Sequence, residues 1–261
     1  MTTTLEVLSF EYSDEDVALF QNDQQRHWES IERYYPLLRL RCLDEIPTPI
    51  ETSQREWITT RSNRLLTTSI MRLLYLAESF RDACLKFNGP ATAIHAKAMI
   101  EPVLHISNIA WILEHHNADF EQIRREFDQM AFGRRDGGGL TTRARISNRQ
   151  LYTRADELMQ RLGNGAENTP DINVFETLYK EANATGHHNF EGRDILIGVT
   201  DKNDVWRPKD RKEWFIFMSS NIFQFFLHTS TVLSMSHIFV GMIDHYLNQL
   251  PERLSGTENA N

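Results

Sequence analysis

Two cysteines in 261 residues cannot build a disulfide framework, and their spacing offers no metal site. Cys42 and Cys84 both fall among apolar neighbours at helical spacing and read as reduced thiols. No basic segment followed by a long apolar run opens the chain, so no secretory leader is expected and the cytoplasm is the expected compartment. Alternating apolar and polar runs of strand length are scarce, which excludes a large sheet. Positive charge is in short supply too. The net charge of −8 and the pI near 5.7 exclude a surface that is basic throughout.

What the chain has is helix. Apolar residues at spacings of three and four recur through Val17–Tyr35, Ile58–Phe87, Phe120–Met130, Leu151–Leu162 and Val174–Ala182. Asn88-Gly89-Pro90 punctuates the second of these, and Asn117 stops the central helix at 92–116. The expected fold is all-α, one domain over residues 1–254 with a disordered tail at 255–261. It is a bundle of about seven helices, with a central helix at 92–116 and a long C-terminal helix at 212–250 innermost. A small hairpin around Ile195 to Val199 is the one strand feature expected.

The central helix is apolar on nearly every side, yet Lys97, Glu101, His105 and Asn108 fall in line at steps of four, four and three. Buried polar groups need partners, since each one left unpaired costs about 1–3 kcal/mol. Either the stripe is an internal network that fixes helix register, or it lines a ligand or catalytic cleft. Pro102 follows Glu101 and must interrupt the backbone hydrogen bonds near residue 98. The C-terminal helix repeats the four, four, three pattern with Ser220, Gln224, His228 and Thr231. The two stripes are expected to meet, with His105 and Asn108 bonding to Gln224 and His228 in a buried polar network.

The same C-terminal helix carries no formal charge from Trp214 to Ile243. A membrane span has this property, but eleven of those thirty residues are Ser, Thr, Asn, Gln or His, which favours a bundle core over a membrane as the partner of this helix.

Between residues 124 and 154 eight arginines face three acids, a local charge of +5 without one lysine. Arg134, Arg135, Arg143, Arg145 and Arg149 are the candidate contacts to RNA or another phosphate-bearing ligand, because guanidinium groups pair bidentately with phosphate. A solvated face or a homodimer interface accounts for them equally. His187 and His188 follow the end of the sixth helix, where the dipole favours a protonated imidazole, and serve either as caps or as acid–base groups. The Gly-x-x-x-x-Gly-Lys-Ser/Thr, His-Glu-x-x-His and Glu-x-x-His patterns are absent, and no cofactor or metal is expected.

The run Ala96-Lys97-Ala98-Met99-Ile100-Glu101-Pro102, with a later Leu178-Tyr179 helix ending at His187-His188, resembles a family of uncharacterised bacterial all-α proteins. That family is similar to the HEPN helical-bundle superfamily, which includes ribonucleases of toxin–antitoxin and phage-defence systems. The resemblance covers Ile94 to Phe190. It implies a helical bundle acting on RNA, with Lys97, Glu101 and His187 or His188 as the catalytic set. The Arg-x4–6-His pair of HEPN ribonucleases does not occur in this sequence. The alternative is a non-catalytic helical interaction or regulatory protein whose polar core is structural.

Overall fold

Pro102 divides what the sequence pattern presents as one central helix. Its ring nitrogen has no hydrogen to donate to the Ala98 carbonyl, and the helix is interrupted there. One segment ends at Ala98 and the next starts at Ile100, with Met99 between them at φ −68° and ψ −19°. The first segment begins at Gly89, ahead of the expected Thr92, because the Asn88 side chain accepts from the Ala91 N–H at 3.3 Å and Pro90 occupies the first turn.

The computed structural model describes residues 22–43, 45, 53–86, 88–116, 119–132, 146–163, 173–186, 197–200, 205–208 and 219–251. Its helices are α1 (Asn22–Arg39), α2 (Gln54–Leu85), α3 (Gly89–Ala98), α4 (Ile100–His115), α5 (Phe120–Phe132), α6 (Asn148–Gly163), α7 (Val174–Gly186) and α8 (Ser219–Gln249). Between α7 and α8, β1 (Ile197–Thr200) and β2 (Val205–Pro208) pair antiparallel, Ile197 opposite Pro208. Among the described residues the fold is all-α apart from this hairpin.

Helix starts follow their side chains. Ser53 accepts from the Glu56 N–H ahead of α2, and Asp119 from the Gln122 N–H ahead of α5. Ser147 and Gln150 form a reciprocal capping box at α6, each side chain accepting from the other's backbone N–H.

Helix α4 is the axis of the bundle, packed against α2, α5, α6 and α8. Eleven of its sixteen residues are buried, which is why its sequence is apolar nearly all round. Helix α8 lies between α1 and α4. Phe226 joins three helices there, 5.3 Å from Trp28 of α1 and 5.3 Å, edge-on, from Phe80 of α2. Phe239 meets Phe175 of α7 at 5.8 Å. Among the described residues α8 alone is long and apolar enough to cross a membrane, over Phe225–Gln249 at a mean hydropathy of 1.3; more than half of that window is buried in the protein, as in a bundle core.

Candidate functional site: the polar junction of α4, α5 and α6

The side chain that organises the polar interior is Arg154 of α6. Its guanidinium donates to the Asn108 carbonyl at 2.8 Å and to both Glu126 oxygens, at 3.1 and 3.2 Å. It also lies 3.9 Å from the centre of the Trp111 ring. A planar cation is required for this, because one face stacks on indole while the edge reaches two acceptors. Both charges are sequestered, with the Arg154 and Glu126 side chains 15% and 12% exposed. In such surroundings an ion pair depends on further hydrogen bonds to its partners, and here Asn108 supplies one.

Trp111 extends the cluster. Its Nε1–H donates to Glu157 at 2.7 Å, and the His115 ring stacks on it at 3.9 Å and 15°. Two groups each 3.9 Å from the ring centre need opposite faces, so the indole is sandwiched between Arg154 and His115. His115 Nδ1 lies 3.0 Å from the Trp111 carbonyl, which can only accept, leaving Nε2 to accept from Arg161 at 2.6 Å. Arg161 also pairs with Glu114 at 2.9 Å. Burial, and then the Glu114 carboxylate, push the Tyr246 hydroxyl of α8 up to about 12, so it stays a donor to Glu114.

His116 differs from these residues. Its Nε2 is enclosed without a hydrogen-bond partner, 3.8 Å from Glu126 Oε1. Burial lowers its proton affinity, with Arg154 adding to the effect and Glu126 opposing it. A second buried carboxylate, Asp156, faces away from the cluster and accepts from the Phe175 and Glu176 backbone N–H groups at 2.8 and 3.1 Å. It caps α7 from a neighbouring helix.

The polar stripe of the sequence divides along this geometry. Asn108 is buried and belongs to the Arg154 cluster, where its side-chain oxygen accepts from the Arg154 guanidinium. Glu101 pairs with Arg72 of α2 at 2.7 Å, near the surface. Lys97 and His105 are half-buried, and His228 is buried on α8, which does pack against α4. His187 and His188, and the side chain of Gln224, lie outside the described residues, as do Arg134, Arg135, Arg143 and Arg145.

Arg149 is exposed at the start of α6. Arg124 and Arg125 are exposed as well, beside Glu121 and Gln122. They border a surface cleft of about 320 Å³ that Asp119, Glu121 and Asp128 also line, so acids outnumber arginines there and a phosphate is poorly matched. Arg154, counted in the basic segment, is turned inward. No signal separates it from Arg149 by composition; the distinguishing mark is periodicity, since Leu151, Ala155 and Leu158 place Arg154 at the edge of the buried face of α6.

Among the described residues no group of three His, Cys, Asp or Glu is placed to hold a metal ion. No family model, no curated protein and no solved structure matches the chain.

Proposed function

We propose that this chain is a non-catalytic helical interaction or regulatory protein whose polar interior fixes the register of its helices. The observation that carries this reading is that the charged groups of the Arg154 cluster are committed to one another, with only His116 Nε2 and the Asn108 amide nitrogen left over. Arg154, Asn108, Glu126, Trp111, Glu157, His115 and Arg161 bond to one another across α4, α5 and α6. A general base or nucleophile needs an atom poised toward a substrate, and Glu101 is committed to Arg72. The cytoplasm is the compartment this reading assigns, consistent with two free cysteines.

A second reading is a HEPN-like protein that binds or cleaves RNA, as a toxin or phage-defence nuclease would. It rests on the resemblance over Ile94 to Phe190 and on the +5 charge of residues 124–154, of which Arg149 is exposed. Lys97, Glu101 and His187 or His188 would then carry the chemistry.

One experiment separates the two. Purified chain is incubated with RNA over a range of salt, with Glu101→Gln, His187→Ala/His188→Ala and Arg134→Ala/Arg135→Ala variants alongside. The interaction reading expects intact RNA throughout and no salt-dependent binding. RNA cleavage lost in the glutamate or histidine variants, or salt-sensitive binding lost in the arginine variant, would establish the nuclease or nucleic-acid reading instead.

A further inference from the structure

Helix α8 keeps one stripe turned away from the bundle, and its spacing is that of a coiled-coil seam. Leu227, Thr231, Ser234, Ile238, Gly241 and His245 follow one another at steps of four, three, four, three and four. All six are exposed or half-buried, although Phe226, Val232, Leu233, Phe239 and Ile243 between them are fully buried. The inward and outward faces therefore have separate patterns. The bundle uses the first, and the outward stripe is an additional pattern that folding of the monomer does not require.

We propose that this stripe is the seam of a homodimer, in which α8 of one chain packs antiparallel against α8 of a second copy. This goes beyond the role of the polar interior and holds whichever function that interior serves.

Three observations favour a second copy over any other occupant. The first is self-complementarity. A two-fold axis passing beside residue 236 brings Leu227 opposite His245, Thr231 opposite Gly241 and Ser234 opposite Ile238. All six positions are used, and each layer sets a larger side chain against a smaller one, the condition for interdigitation. At Gly241 an added Cβ would meet nothing within 4 Å, so the backbone there is open to close approach from outside. The second is charge. From Leu227 to Ile243 the helix bears no charged residue, so it offers no complementarity to an acidic or basic partner and no repulsion to its own copy. The third is area. A single helix pair of this length is small for a stable interface, which needs about 800 Å² from each partner. The Arg41–Asp244 ion pair ties the end of α1 to the seam, and Leu37, Leu40 and Leu43 sit there exposed, Leu40 at 81%. They extend the apolar surface toward the place where the Leu227 end of the second copy would arrive.

The test is the mass of the full chain in solution, by light scattering without detergent. Wild type is expected at twice the chain mass of 30.5 kDa. Ile238→Glu, which sets a charge in the central layer, and Gly241→Leu, which has room in the monomer but overfills the Thr231 layer, are each expected to weaken dimerisation at least about tenfold, or about 1.4 kcal/mol, with unchanged circular dichroism. Tyr75→Glu, exposed on α2, serves as control and stays dimeric. Register is read separately: Ser234→Cys/Ile238→Cys is expected to give an intermolecular disulfide under mild oxidation. A wild-type monomer overturns the proposal, and so does a dimer that survives both seam variants. Sedimentation of the chain with lipid vesicles, abolished by Ile238→Glu, would assign the stripe to a membrane and also overturn it.

Discussion

The Arg154 guanidinium lies over Trp111, 3.9 Å from the ring centre, while it also holds Glu126. One residue of α6 thereby meets α4 by stacking and by the Asn108 hydrogen bond, and meets α5 by charge.

Removing that residue strands a buried carboxylate. Arg154→Ala is expected to lower stability by about 3 kcal/mol, most of it the cost of Glu126 left without its cation. Adding Glu126→Gln should restore a large part of the loss, so a double-mutant cycle in urea gives a strong coupling between the two positions. Additive losses would show that the ion pair is not the source.

Arg154→Lys preserves the charge and loses the geometry. An ammonium cannot lie on the indole and reach both Glu126 oxygens together, so the substitution should cost about 1–2 kcal/mol. Trp111 fluorescence should shift with it, which chemical denaturation followed at two wavelengths would reveal.

Asp156 holds the start of α7 from outside that helix. Asp156→Ala leaves two backbone N–H groups without acceptors and should cost about 1–2 kcal/mol. Hydrogen exchange at Phe175 and Glu176 is expected to quicken more than exchange within α4.

His116 sets a pH dependence. Its folded proton affinity lies below the ordinary histidine value of 6.5, mainly through burial. The unfolded chain binds the proton first as pH falls, so the stability present above 6.5 is lost as pH drops through the lower folded value. His116→Gln should flatten part of the decline below pH 6.5. An unchanged slope in urea midpoints would remove His116 as its source.

Much of this architecture is legible before any coordinates. The uniformly apolar α4, the Pro102 interruption and the hairpin near Val199 all follow from local rules of helix and turn chemistry. The partners of the polar stripe are another matter. Asn108 announces that something must bond to it, but its donor lies 46 residues away in sequence. Choosing Arg154 over His228 depends on how α6 and α8 are rotated about α4. That rotation is set by the fit of many apolar side chains and leaves no local mark. Glu101 likewise reads as a buried acid from its helix position, and is instead drawn outward to Arg72 because α2 offers a cation near the surface.

The Glu126–Arg154 pair sits astride the connection from Phe132 to Ile146. Helix α5 also packs on α2 and α4, and α6 on α4 and α7, so neither depends on that connection for its place. The chain is thus expected to tolerate a cut in that connection. Expressed as two fragments divided between Phe132 and Ile146, it has the packing and the buried charge pair needed to reassemble, and each half would supply one of the two opposite charges by which it recognises the other.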